Sequence, residues 1–247
     1  MAREESTIKK ILIHQKTGKK FFVKQLDDNF HTQFGVIALK DIKTTGKVKS
    51  NKGDNFFLIE PTFTDLWENL NRGPQVMLPK DIGIIIAKTG VNKNSKIVDA
   101  GGGSGSLCLS LANLCKEITV YEINPEHYDV IAKNVKLFGA NNLNLKQEDV
   151  YNGIEEKELD LLTLDLPEPW KVIAHAEKAL KMGAHLVVYL PNLGQVKKFI
   201  DFAKKTSINV METLELIERK WKIEDKIMRP EFQMLGHTGF LIFCRRL

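Results

Sequence analysis

A glycine-rich turn restricts the fold of this sequence more than any other feature. Residues 98–105 read Val-Asp-Ala-Gly-Gly-Gly-Ser-Gly and lie between a short apolar run and a helical apolar stretch, residues 107–114. Glycines in such a turn let the backbone approach a ligand, and the helix that follows offers unpaired N–H groups to it. Because position 106 is Ser, the spacing is GxGxG and lacks the third glycine of the dinucleotide fingerprint. The turn therefore disfavours an NAD-dependent oxidoreductase.

Strand and helix signals alternate after residue 71, which indicates a parallel sheet covered by helices on both faces. Asn124 and Pro125 begin one helix well, with Asn as the N-cap and Pro at the first helical position. We expect this helix to end near residue 138. The expected strands are residues 97–100, 118–121, 143–145, 159–166 and 185–190. The fold class that follows is a doubly wound α/β domain.

The two ends of the chain have a different pattern. Residues 1–70 contain short apolar bursts separated by turn signals, which predicts a small β-rich domain before the α/β domain of residues 71–247. In the tail, two extended runs, residues 208–219 and 239–244, flank a polar segment that has no clear helix. We expect these runs to pair antiparallel at one edge of the sheet. The N-terminal bursts are residues 8–13, 20–23, 35–39 and 55–59.

The composition is that of an ordinary globular protein, with 43% hydrophobic and 27% charged residues. No apolar run approaches the roughly 18–20 residues that cross a bilayer, and the first ten residues lack the apolar core of a secretory signal. We therefore expect a cytoplasmic protein. The 36 Lys and Arg residues against 31 Asp and Glu give a net charge of +5. This balance is compatible with a polyanionic partner, although housekeeping enzymes of this length also have it.

The three cysteines, Cys108, Cys115 and Cys244, cannot form a complete set of disulfides, and none lies in a CxxC pair. We expect buried thiols rather than a metal or redox site. Cys108 and Cys115 are seven residues apart, so on a helix they share one face.

Acidic side chains lie at the carboxyl ends of three successive expected strands. Asp99 adjoins the glycine turn, Glu122 follows the second strand and Asp149 follows the third. A carboxylate at Glu122 can accept hydrogen bonds from both ribose hydroxyls of a nucleoside cofactor, and one at Asp149 can accept from an adenine amino group. Each acid alone reads more simply as a solvated residue at a strand end. Three of them converging on one crevice favour a nucleoside-binding site.

The fourth expected strand is followed by Asp165-Leu166-Pro167-Glu168-Pro169-Trp170. Two prolines stiffen this turn and fix the direction of Asp165. A rigid acceptor beside a transferable methyl group suits a substrate N–H group. For an adenine, Asp165 could accept from the exocyclic amine and raise the nucleophilicity of the ring nitrogen. The alternative for Asp165 is a capping role for the following helix.

Five motifs carry a resemblance to a known family. They are GPQVMLPKD (73–81), the glycine turn, YEINPEH (121–127), DLPEPW (165–170) and RPEFQMLGHTGFL (229–241). Together they resemble the tRNA adenine-N1-methyltransferase family of the TrmI type. The N-terminal stretch also resembles the small β-domain of that family, so the resemblance covers nearly the whole chain. DLPEPW and the RP…GHTGFL motif are specific, whereas many methyltransferases share the glycine turn.

The resemblance implies a class I, Rossmann-like methyltransferase that uses S-adenosylmethionine to methylate N1 of an adenine in the T-loop of tRNA, at position 58 and in some members also at 57. It also implies a homotetramer. By motif, Asp149 would contact the cofactor's adenine, and Asp165 would be the key catalytic acid and would also contact the cofactor. Gln75 would contact cofactor or substrate, or only begin a helix. The other expected cofactor contacts are Gly101, Gly103, Ser104, Gly105, Ser106, Leu107, Glu122 and His127.

Some positions depart from the family pattern or stay ambiguous. Gly102 stands where relatives commonly have Thr or Ala, a change that a turn tolerates. Leu78 stands where many relatives have a tyrosine near the substrate, which argues against an aromatic contact with the target base there. His237 and Thr238 read as structural residues before the last strand. A basic stretch either faces the RNA backbone or is a solvated face; its members are Arg219, Lys220, Lys222, Lys226 and Arg229.

The expected reaction is direct in-line transfer of the methyl group, with most of the catalysis coming from proximity and orientation. It needs neither a covalent enzyme intermediate nor a metal ion. The target base must leave its stack to be reached. Two alternatives remain open. A small-molecule or protein methyltransferase would not call for an RNA-facing N-terminal domain, and a non-catalytic RNA-binding subunit would be expected to have lost the glycine turn and Asp165.

Overall fold

The computed structural model of the chain describes residues 8–73 and 76–247. Contacts between Cα atoms divide the chain into two units. The first comprises the residues up to Asn71 together with Lys133–Gly139, and the second comprises Arg72–Ala132 and Ala140–Leu247. In the described ranges, no helix is both long and apolar enough to cross a membrane.

The first unit contains a four-stranded antiparallel sheet. Its elements are β1 (Lys10–His14), β2 (Lys20–Val23), β3 (Phe30–Thr32), β4 (Gly35–Ile37), α1 (Leu39–Ile42), β5 (Gly46–Lys49), β6 (Asn55–Ile59) and α2 (Phe63–Glu68). The sheet order is β2-β1-β6-β5, and β3 pairs with β4. Alternation along the strands places Leu12, Phe56 and Leu58 in the core. Thr62 and Asp65 form the capping box that begins α2, so the β-rich part also holds short helices.

The second unit alternates strands and helices. Its elements are α3 (Pro79–Thr89), β7 (Lys96–Ala100), α4 (Ser106–Ala112), β8 (Glu117–Tyr121), α5 (Pro125–Phe138), β9 (Leu143–Lys146), β10 (Leu159–Leu164), α6 (Ile173–Ala179), β11 (Leu180–Leu190), α7 (Leu193–Ala203), β12 (Ile208–Leu214), β13 (Trp221–Glu224), β14 (Ile227–Pro230) and β15 (Phe240–Arg246). The last residues of α5 group with the first unit. This alternation is the expected pattern of an α/β domain.

Seven strands of the described chain form one sheet in the order β12-β15-β11-β10-β7-β8-β9. The five strands from β11 to β9 run parallel, and β15 runs antiparallel to both of its neighbours. The doubly wound fold is therefore confirmed. The strand order reverses between β7 and β10, so a crevice opens at the carboxyl ends of these strands. Ala100 at the end of β7 pairs with Leu164 at the end of β10, which brings the glycine turn beside Asp165.

The tail differs from the expectation in one respect. The antiparallel pairing of β12 with β15 is confirmed, but β12 ends at Leu214 rather than near residue 219. The polar segment between the two strands contains an antiparallel hairpin of β13 and β14, in which Ile223 pairs with Met228. The turn of this hairpin holds Asp225 at φ 46, a left-handed conformation that Asp tolerates better than most residues.

The cysteines also required one correction. All three are buried and none forms a disulfide, as expected of core thiols. However, α4 ends at Ala112, so Cys115 lies beyond the helix and does not share a helical face with Cys108.

Candidate active site

The glycine turn packs directly against the segment that follows β10. Gly101 has φ 87, and a Cβ atom at this position would lie 2.0 Å from the Asp165 carbonyl oxygen. The Asp165 N–H donates to the Ala100 carbonyl at 2.9 Å, and the Gly101 N–H donates to the Tyr121 carbonyl at 3.0 Å. Only glycine allows this approach without displacing the backbone. The close contact fixes the position of Asp165 relative to the turn.

Glu122 is held in one orientation by two backbone donors. Its Oε2 accepts from the Gly103 N–H and its Oε1 from the Asn124 N–H, both at 2.9 Å, and the residue is 6% exposed. Asn124 also accepts from the Glu126 N–H at 2.8 Å, which confirms it as the N-cap of α5. His127 lies one turn into the helix, with Nδ1 3.8 Å from Glu122 Oε1. Each carboxylate oxygen of Glu122 keeps capacity for a further donor.

Asp149 begins a short 3₁₀ helix, Val150–Asn152, after β9. Its Oδ1 accepts from the Tyr151 N–H at 2.9 Å. The Tyr151 hydroxyl in turn accepts from the Glu168 N–H at 3.2 Å, which ties this helix to the DLPEPW segment. Asp165 does not cap the helix that follows, because the 3₁₀ helix Pro169–Val172 begins after Glu168.

Two aspartates near the turn have raised pKa values. Asp99 is 1% exposed, and burial raises its pKa to about 7 although a hydrogen bond from Thr163 opposes the shift. Asp165 is open to solvent at the mouth of the crevice, yet protein surrounds it on most sides. This environment, with the negative charge of Glu122, raises the pKa of Asp165 to about 6. Asp99 therefore lies inside the sheet instead of at the crevice, whereas Asp165 is accessible.

A narrow cleft lies beside Asp165. It is lined by Met77, Ile85, Leu107, Thr163, Leu164, Asp165, Val187 and Tyr189. Met77 and Tyr189 were not predicted from the sequence. The signal for Tyr189 is Gly239 in the GHTGF motif, where an added Cβ would lie 2.5–2.8 Å from the Tyr189 ring and hydroxyl.

The remaining predicted residues fall into two groups. Ser104, Ser106 and Leu107 are all buried at the start of α4, next to the turn, whereas Gln75 lies outside the described residues. Leu78 is the N-cap residue of α3, and its neighbour Met77 lines the cleft instead.

Gly102 is more constrained than the sequence indicated. The side chains of Val120 and Ile131 come within 2.7 Å of where its Cβ would be. A larger residue here requires these two side chains to move.

This geometry agrees with comparisons to known proteins. A family model described as the tRNA methyltransferase complex GCD14 subunit matches residues 55–230. The chain belongs to this tRNA methyltransferase family. It is 35% identical to the tRNA (adenine(57)-N(1)/adenine(58)-N(1))-methyltransferase TrmI of Methanocaldococcus jannaschii, over 96% of this chain and 94% of the relative.

Two solved structures of methyltransferases share the fold over almost the whole chain. A SAM-dependent O-methyltransferase from Thermotoga maritima superposes with a TM-score of 0.85 at 27% identity, covering 98% of this chain and 94% of that one. The tRNA (m1A58) methyltransferase TrmI from Aquifex aeolicus gives a TM-score of 0.79 at 26% identity, covering 98% of both chains. The family's glycine turn and strand-end acids therefore stand on a methyltransferase fold.

Proposed function

We propose that this chain transfers a methyl group from S-adenosylmethionine to N1 of an adenine in the T-loop of tRNA. The proposed target is position 58, with position 57 as a second site, because the relative from Methanocaldococcus is named for both positions. The observation that carries the proposal is Asp165. This accessible carboxylate is anchored against the glycine turn at the switch point of the sheet.

The residues around the turn fit a nucleoside cofactor. Glu122 points a buried carboxylate, oriented by two N–H donors, to where ribose hydroxyls can donate to it. Asp149 offers a second carboxylate at the end of the next strand for an adenine amine. The turn itself, Gly101 to Gly105, is bare of side chains apart from Ser104. When bound, the cofactor supplies an electrophilic methyl group on a sulfonium.

Asp165 is proposed to hold the acceptor base. Its carboxylate accepts a hydrogen bond from the exocyclic amine of adenine and turns the lone pair of N1 towards the methyl group. Methylation at N1 gives the base a positive charge that is shared with the amine, so a fixed anion beside the amine stabilises the transition state. No proton has to leave N1, because this nitrogen carries a lone pair in neutral adenine.

The same proposal includes tRNA as the partner and self-association of the chain. The basic residues Arg219, Lys220 and Lys226 are exposed around the β13–β14 hairpin, where they can contact phosphates. The hairpin also exposes Ile223 and Met228. Exposed apolar side chains that are paired in this way favour a homo-oligomer, in line with the tetramer that the sequence resemblance implies.

Replacing Asp165 tests its role. We expect Asp165→Ala to lower kcat by about 100-fold or more, the range seen when one preorganised electrostatic group is removed, while S-adenosylmethionine binding by calorimetry changes little. Asp201→Ala is the matched control, since Asp201 is exposed on α7 and pairs only with Lys197 and Lys204. Unchanged turnover in Asp165→Ala would remove Asp165 from the mechanism.

The pH profile tests the charge state of Asp165. Because its pKa is raised to about 6, the carboxylate is ionised at pH 8 and becomes protonated as the pH falls through 6. Activity is therefore expected to be constant above pH 7 and to fall about tenfold per pH unit below 6. Residual activity of Asp165→Asn should lack this step; a profile identical to that of the unsubstituted enzyme would mean that another group titrates.

The acceptor is tested by methyl transfer from radiolabelled S-adenosylmethionine to unmodified tRNA, followed by nucleoside analysis. The expected product is 1-methyladenosine that maps to the T-loop, and replacing the adenine at 57 or 58 identifies the site. Label appearing in protein or in small molecules but not in tRNA would support the other acceptor classes. Cofactor binding without any transfer to tRNA would point to a required partner chain.

A further inference from the structure

A buried charged network lies behind the cleft. The Lys80 ammonium donates to both oxygens of Asp81, at 2.8 and 3.0 Å, to the Leu216 carbonyl at 2.8 Å and to the Thr238 hydroxyl at 2.7 Å. Asp81 is fully buried, and the Lys80 side chain is 10% exposed. A buried ion pair contributes little net stability compared with apolar residues of the same size. Its presence beside the candidate site therefore suggests another role.

The hydrogen-bond inventory of this network fixes the direction of one proton. The Thr238 hydroxyl has a single proton, and it donates this proton to Asp81 Oδ2 at 3.1 Å. Lys80 and Asp81 have no other choice of role, because an ammonium only donates and a carboxylate only accepts. The Thr238 oxygen is thus left with its lone pairs, and any further polar neighbour must donate to it.

Tyr189 is that neighbour. Its hydroxyl interacts with the Thr238 side chain, and its ring lies against the backbone of Gly239. Burial raises the pKa of Tyr189 to about 12, so the hydroxyl keeps its proton at neutral pH. This proton points to Thr238, and the oxygen lone pairs are then available to the cleft that Tyr189 lines together with Asp165.

We infer that Lys80, Asp81 and Thr238 are positioning residues that make the Tyr189 hydroxyl a hydrogen-bond acceptor towards the cleft. Resting on the proposed function, this inference gives the site two acceptors, Asp165 and Tyr189, which match the two N–H groups of an exocyclic amine. A base with a carbonyl in that place would face two acceptors and be rejected. Discrimination for adenine would then originate in a charge pair that does not touch the base.

A double-mutant cycle tests the inference. Tyr189→Phe and Thr238→Val each remove one link without changing the side-chain shape greatly. We expect each to lower kcat/KM for tRNA about tenfold, the effect of losing one hydrogen bond to the substrate, and the double variant to fall no further. Thr238→Ser, which keeps the hydroxyl, should restore most of the activity. Multiplied losses of about 100-fold in the double variant, or full activity of Thr238→Val, would overturn the inference.

A measurement without substrate separates this inference from the proposed function. The chain has four tyrosines, and carbon-13 labelling of their ring Cζ atoms reports hydrogen bonding at each hydroxyl. The resonance lost in Tyr189→Phe should shift in Thr238→Val and in Asp81→Asn, while the surface control Asp201→Asn leaves it unchanged. If that resonance shifts but tRNA is not methylated, the network stands and the proposed function fails. A resonance that does not move refutes the network even in an active enzyme.

Discussion

The glycine turn and the β13–β14 hairpin differ in how fully their side chains find partners within the chain. At the turn, Gly101 lies against the backbone at Asp165, and both oxygens of Glu122 accept backbone hydrogen bonds. At the hairpin, Ile223 and Met228 pair across the two strands yet are 71% and 73% exposed. The turn is complete by itself, whereas the hairpin exposes apolar surface that a second molecule can cover.

The difference teaches where a substitution should act. A change at the turn acts inside the chain, on the folding of the crevice and on cofactor binding. A change at the hairpin should leave the fold of one chain intact and act on contacts between chains. Substitutions at the two places can therefore break or sharpen the comparison.

The largest effect is expected at Gly101. Its φ of 87 and the 2.0 Å distance between an added Cβ and the Asp165 carbonyl oxygen leave no room for a side chain. We expect Gly101→Ala to lower the free energy of unfolding by at least about 3 kcal/mol and to abolish cofactor binding, as measured by chemical denaturation and calorimetry.

Gly83 provides the matched control for this substitution. It is exposed within α3, and a Cβ built there meets no other atom within 4 Å. Gly83→Ala is expected to be neutral or to stabilise the protein by up to about 1 kcal/mol, because alanine is the better helix former. If both variants behaved alike, the close approach at Gly101 would not be what makes glycine necessary there.

The sequence predicted the turn well because its signals are local. The glycines, the strand before them and the helix after them all lie within 20 residues, and so does the Asn124 cap with its Pro125. Glu122 followed from the same pattern, since a residue directly after a parallel strand reaches the crevice. Such short-range rules need no knowledge of which strands become neighbours.

What the sequence did not predict depends on contacts between distant residues. Asp99 was expected at the crevice, but it pairs in register with Thr163 of the neighbouring strand and hydrogen-bonds to it inside the sheet. Tyr189 reaches the cleft because β15 packs Gly239 against its ring. These arrangements follow from strand order and register, which a single sequence does not specify.

The hairpin was missed for a local reason. Its turn, Asp225-Lys226, lacks the glycine that typically marks a two-residue hairpin, and its strands are only four residues long.

The second-largest effect is expected on assembly. Replacing both Ile223 and Met228 with Lys puts two charges at paired positions on the hairpin, which opposes burial against a second copy of the chain. We expect the double variant to sediment as a smaller species, approaching the 28.1 kDa of one chain, with an unchanged circular dichroism spectrum. Sedimentation velocity of both proteins at equal concentration makes the measurement.

Met182→Lys is the control for this experiment. Met182 is 80% exposed near the start of β11, away from the hairpin in sequence, so the same change of chemistry there should leave the assembly intact. A double variant that keeps the mass of the unsubstituted protein would show that the hairpin is not part of the interface, and an unsubstituted protein of 28.1 kDa would refute self-association.

The smallest effect is expected at Asn124, which lies at the edge of the self-contained region. Its side chain accepts from the Glu126 N–H at the start of α5, while its own N–H donates to Glu122. Asn124→Ala removes only the first of these bonds, so we expect a loss of about 1 kcal/mol in the free energy of unfolding with cofactor affinity nearly unchanged. Asn124→Asp keeps an N-cap acceptor but adds a negative charge beside Glu122. It should retain stability and weaken that carboxylate's backbone contacts, so a loss of cofactor affinity in Asp alone would separate the cap from the binding role of Glu122.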